Sequence, residues 1–85
     1  MKSKVFAVFD SKVGAFATPW CSPTIASGSR AFAGACEDRS SMLFKHPADY
    51  ALFLVGEFDE STGALVPCVP ENLGFASSFI VQEKE

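Results

Sequence analysis

His46 is the single histidine of the chain, and Asp49 follows it three residues later, beyond Pro47. That spacing lets a carboxylate accept a hydrogen bond from an imidazole, which is half of a nucleophile-activating arrangement. The other half is missing, because no serine or cysteine stands in a recognisable nucleophile context. His46 and Asp49 are therefore expected to close a turn through side-chain-to-backbone bonds. Asp59 and Glu60 are adjacent carboxylates, but an acid–base pair needs a burial that a hairpin tip does not offer. There is no Gly-rich phosphate loop and no metal-ligand spacing. These residues predict a protein that is not an enzyme and takes no cofactor.

Cys21, Cys36 and Cys68 are odd in number and widely spaced. No disulfide framework within one chain uses all three, and no C-x-x-C pair exists. Reduced, partly buried thiols in a cytosol are the simplest account. A zinc site of the three cysteines with His46 would need all four to converge through the fold.

A second chemistry is nucleic-acid binding. The N-terminal region interleaves base and aromatic residues: Lys2, Lys4 and Phe6, then Lys12, Phe16 and Trp20. Single-strand binders pair a basic groove with aromatic platforms on which bases stack. Lys4, Lys12, Trp20 and Arg30 are the candidates for phosphate and stacking contacts. The competing reading is that Phe6 and Phe16 are core and the lysines serve solubility, since the chain is acidic overall at −3.

The elements that would position these residues follow from periodicity. Lys4 to Phe9 alternates with apolar residues on both sides, which predicts a central strand. Asp10 to Gly14 is a turn, and Ala15 to Thr18 is its hairpin partner. Pro19 and Pro23 argue against regular structure at Trp20 to Ser22, and Thr24 to Ala26 is a candidate extended piece. Ser27 is a suitable N-cap for a helix reaching Asp38, although Gly28 and Gly34 weaken it by roughly 1 kcal/mol each relative to alanine. Met42 to Phe44 is a short apolar anchor ahead of the His46–Pro47 turn.

Ala51 to Val55 is apolar without a break, which predicts a strand over about 50–58 covered on both faces. Asp59 to Gly63 supplies a hairpin loop, and in a partner strand over 64–69 Pro67 marks an edge or the strand's end. Pro70 to Gly74 is expected as one turn of helix or a β-turn, Phe75, Phe79 and Ile80 as a docking segment in a last short helix or strand, and Gln82 to Glu85 as a frayed end. The predicted architecture is α+β: an antiparallel four-stranded sheet from two β-hairpins with one helix packed on a face, in the order β-β-α-β-β plus a short C-terminal segment.

Eighty-five residues predict one domain over 1–85. The chain is 48% hydrophobic and has nine phenylalanines, more than one small core needs. Part of that surface is expected in a subunit interface, most simply a homodimer, near the Ala64–Val69 edge or on a face carrying Phe75 and Phe79; a core that is merely Phe-rich is the alternative. Residues 1–45 sum to +3 and residues 46–85 to −6. Such polarity can give a basic face for phosphate, or reflect only which residues are solvated. The basic start Met1 to Lys4 is followed by Asp10 and Lys12 before any apolar run of signal length, so neither secretion nor a membrane is expected.

Four stretches together resemble one known family. They are Val5 to Lys12 with Phe16; Arg30-Ala31-Phe32; the run from His46-Pro47 through Asp49-Tyr50 and Glu57-Phe58-Asp59 to Gly63; and Asn72-Leu73-Gly74 with Ala76. The His46 to Gly63 run is the specific part, with His46, Pro47, Asp49, Tyr50 and Gly63 in turn-forming roles. The chain resembles the small non-structural protein of gokushovirus-type microviruses, phages with single-stranded DNA genomes. The resemblance implies a role like that of the microvirus switch protein, turning duplex replication toward single-strand synthesis and DNA packaging in the host cytoplasm. The expected partners are single-stranded DNA, or alternatively a viral replication or procapsid protein bound without DNA contact.

Overall fold

The computed structural model describes residues 1–80. Strand β1 (Lys2–Asp10) turns at Asp10, whose carboxylate accepts the Lys12 N–H at 3.0 Å, while Gly14 takes a φ of 79° that a side chain would resist. Two short strands follow, β2 (Ala15–Phe16) and β3 (Trp20–Ser22). Helix α1 (Ile25–Cys36) and the single turn α2 (Met42–Lys45) form the second layer. A 3₁₀ turn at Pro47–Asp49 leads into β4 (Tyr50–Asp59), then β5 (Leu65–Phe75) and a last 3₁₀ turn at Ala76–Ser78.

The sheet is antiparallel in the order β2-β1-β4-β5, and β3 also pairs with β1, so β2 and β3 share the outer edge of β1. β1 and β4 run side by side from Lys2 opposite Asp59 to Asp10 opposite Tyr50, with Val55 as an extra residue where the register shifts. β5 is an edge strand, which suits Pro67 because a proline has no N–H for a further ladder, but Pro67 does not end it: the strand continues to Phe75.

Side chains two apart along a strand share a face. Phe6 and Val8 of β1 and Leu52 and Leu54 of β4 point to the helical side, where they meet Phe32 and Cys36. On α1, Gly28, Phe32 and Cys36 recur at four-residue intervals and are its buried residues. Phe79 closes this core edge-to-face on Phe32, with ring centroids 5.1 Å apart. Packing of that stripe holds the helix despite its glycines.

The α+β class, the antiparallel sheet and the main helix are as predicted; several boundaries differ. The N-cap is Thr24 rather than Ser27: Thr24 Oγ1 accepts the Ser27 N–H at 3.0 Å, and Ser27 Oγ accepts the Thr24 N–H at 3.0 Å. This reciprocal box starts the helix at Ile25, where an extended piece was expected, and it ends at Cys36 rather than Asp38. Trp20 to Ser22 is a strand, because the free edge of β1 supplies partners despite the flanking prolines. Pro70 to Gly74 continues β5 through a register shift instead of forming a turn. Gln82 to Glu85 lie outside the described residues.

Candidate nucleic-acid interface and the uncovered sheet face

Of the four predicted DNA-contacting residues, Trp20 and Lys4 stand on the neighbouring strands β3 and β1, and Arg30 on α1. Trp20 lies opposite Phe6 in the ladder and packs on it with centroids 5.6 Å apart, leaving the indole half-buried. Two residues on, Ser22 shares that face, lies opposite Lys4 and hydrogen-bonds through its hydroxyl to Ser27 of α1 at 2.6 Å. Arg30 is exposed one helical turn beyond Ser27 on the same flank. Lys12 is apart from them, exposed in the turn at the opposite end of β1.

Lys4 is not an unpaired cation. Its Nζ donates to Glu57 Oε2 at 2.5 Å across the β1–β4 ladder, and this hydrogen bond and charge hold the Glu57 carboxyl below its ordinary value. Lys2 lies opposite Asp59 in the same ladder. The +3 and −6 halves of the chain therefore do not become two faces, because antiparallel pairing lays the basic start of β1 along the acidic end of β4.

The turn residues stand together with the backbone of β1. The Asp49 N–H donates to the His46 carbonyl at 3.0 Å, and the His46 N–H to Met42 at 2.8 Å. The Asp49 carbonyl accepts both the Ser11 N–H and its hydroxyl, each at 2.9 Å, which ties this turn to the β1–β2 turn. Among the described residues, main-chain groups close this turn, and neither the His46 ring nor the Asp49 carboxylate hydrogen-bonds to the backbone there. Tyr50 lies opposite Asp10, and burial, then the Asp10 and Asp49 carboxylates, push its phenol above the ordinary value. Gly63 takes φ 78° and donates to the Asp59 carbonyl at 2.7 Å, closing the β4–β5 loop.

The feature that sequence reasoning missed is the sheet face turned away from the helices. It carries Phe9 of β1, Phe16 of β2, Phe53 of β4 and Phe75 of β5, with Val5, Ala7 and Ala51 buried among them. Phe9, Phe16 and Phe53 form one aromatic cluster, with centroids 4.9, 5.2 and 6.1 Å apart. Phe16 and Phe75 remain 45% and 42% exposed, far more than core phenylalanines. Beside the cluster, Val5, Pro19, Gly56, Leu65 and Pro67 line an apolar hollow of about 150 Å³. The alternation signal placed Val5, Ala7 and Phe9 on one side; nothing in it said that this side stays uncovered. Phe75 and Phe79, expected on one face, lie on opposite sides of the sheet.

The thiols are dispersed. Cys36 is buried at the end of α1, and burial, with Glu37 nearby, pushes its thiol up to about 11; Cys21 and Cys68 are exposed on strands at opposite edges of the sheet. Among the described residues, no three histidine, cysteine or carboxylate side chains are placed to share a metal ion, and no helix is long and apolar enough to cross a membrane.

A family model described as Phage ORF5 protein matches residues 3–79. No curated protein and no solved structure matches this chain. The match spans nearly the whole chain, and the protein belongs to the Phage ORF5 family.

Proposed function

From that membership we propose a non-enzymatic, non-structural accessory protein of a gokushovirus-type microvirus, which binds single-stranded DNA and acts in viral genome synthesis and packaging in the host cytoplasm. The observation that carries the DNA contact is the half-buried Trp20 on β3, beside the strand that bears Lys4 and next to the helix on which Arg30 is exposed. Single-strand binders combine basic side chains that follow the backbone with aromatic rings on which bases stack. The Lys4–Glu57 pair is only partly shielded, with side chains 30% and 38% exposed. Such a pair contributes little, so a phosphate can take the lysine from the carboxylate. Lys12 adds a cation at the far end of β1.

Trp20 is the single tryptophan, so its emission reports stacking directly. A labelled oligothymidine titrated at low salt should raise the anisotropy and quench Trp20, with affinity falling steeply as salt rises. Trp20→Leu and Arg30→Ala should each weaken binding several-fold. No binding at low salt removes the DNA reading.

The pairing of Lys2 and Lys4 against Asp59 and Glu57, in a chain of net charge −3, favours a second reading. In it the protein is an adaptor that docks a viral replication or procapsid protein and never touches DNA. Coprecipitation with those proteins in the absence of nucleic acid is the result that supports it.

A further inference from the structure

We propose that the uncovered sheet face is the interface of a two-fold symmetric homodimer, in which Phe16 of each copy enters the hollow lined by Val5, Gly56 and Leu65 of the other. This goes beyond the DNA reading, which uses the β3–α1 junction, and leaves that junction free.

The first argument is composition. The helices cover one side of the sheet only; on the other, the apolar side chains of Phe16, Phe75 and Leu65 are exposed, while Val5, Ala7 and Ala51 are already buried. A charged partner or a phosphate backbone has nothing to pair with there. A second copy of the same face is apolar in the same places.

The second argument is the edges. β5 is the free edge on one side, but Pro67 and Pro70 lie within its first six residues and remove two donors. On the other side β2 and β3 are two and three residues long, and Pro19 lies between them. Strand-to-strand extension is blunted at both edges, so association by the face remains. This moves the expected contact from the Ala64–Val69 edge to the sheet face.

The third argument is size and fit. β1, β4 and β5 abreast, with the five residues of β2 and β3 along the outer edge of the nine-residue β1, give a face of roughly 17 by 30 Å at ordinary strand spacings. Two such faces cover roughly 1,000 Å², the lower bound of a specific interface. A two-fold contact requires knob and hole on the same patch, because each residue's partner contacts it reciprocally. Phe16 is the exposed ring, and the hollow of about 150 Å³ matches apolar cavities known to hold a benzene ring. Phe16 lies opposite Phe9, and Val5 lies four residues along the same strand, so the axis runs near the small Ala7 between them.

Sedimentation velocity at micromolar concentration decides this. The natural chain should run at about twice its 9.1 kDa mass. Phe16→Ser should run as a monomer, and so should Leu65→Ser, whose side chain is 66% exposed and outside the buried core. Met42→Ser, exposed on the helical layer, should remain dimeric. Circular dichroism checks each fold, and if Phe16→Ser unfolds, Leu65→Ser alone decides. A monomeric natural chain, a dimer that survives Leu65→Ser, or one broken by Met42→Ser overturns the proposal. Oligonucleotide binding by the monomeric variants would persist at lower affinity, which keeps this test separate from that of the DNA reading.

Discussion

Gly28 of α1 rests on the ring of Phe6: a Cβ built on this glycine would lie 2.3 Å from Phe6 Cζ and 2.4 Å from Cε1. Both residues are buried, so neither has room to withdraw. The close approach of helix and sheet, and with it the depth of the core, depends on the missing side chain.

Gly28→Ala should therefore destabilise the protein by about 1–3 kcal/mol, the usual range for overpacking, even though alanine is the better helix former. Gly34, with nothing within 4 Å of its Cβ position, is the internal control. Gly34→Ala should stabilise by about 0.5–1 kcal/mol. Urea denaturation of the two variants measures both signs, and a gain at Gly28 would contradict the packing described.

Acid should weaken the fold through specific carboxylates. Glu57 is held low by Lys4, and Asp38 and Asp59 by hydrogen bonds from Ser40 and Ser61. A depressed folded value means that the stabilisation is fully present above the unfolded-state value and is lost as the pH falls through the folded one. The urea midpoint should begin to decline near pH 4.5, the ordinary value of Glu57. Glu57→Gln should show a shallower decline than the natural chain; identical slopes would mean that the pair with Lys4 is not formed in solution.

The thiols should divide by exposure. Cys21 and Cys68 should react with a thiol reagent in the native protein, and Cys36 only after denaturation. The raised thiol of Cys36 also sets an alkaline limit. Its contribution is present below the ordinary value of 9.0 and lost as the pH rises from there to about 11. Mass spectrometry after pulse labelling at pH 8 identifies which cysteines are modified, and early labelling of Cys36 would place it outside the core.

Glu57 also competes with phosphate for Lys4. If Lys4 contacts DNA, Glu57→Gln should tighten oligonucleotide binding several-fold at low salt, and Lys4→Ala should weaken it. Anisotropy titrations of the two variants should diverge from the natural chain in opposite directions. Unchanged affinity in Glu57→Gln would remove Lys4 from the interface.

The sequence by itself determined the local elements. Alternation from Lys4 to Phe9 and the unbroken run Ala51 to Val55 marked the two long central strands, because strand periodicity is a property of neighbours along the chain. Asp59 to Gly63 marked its loop through a glycine that takes a positive φ. Those signals also gathered Val5, Ala7 and Phe9 on one side. Only the tertiary structure decided which side the helix covers, and so which phenylalanines are core and which are surface: Phe6 is fully buried, while Phe16 is not. It also decided that Lys4 meets Glu57, fifty-three residues away. The antiparallel pairing of β1 with β4 is a non-local contact, set by hydrophobic packing over the whole sheet, and no pattern within either strand encodes its partner. The basic start that looked like a phosphate face is consequently matched, residue against residue, by the acidic end of another strand.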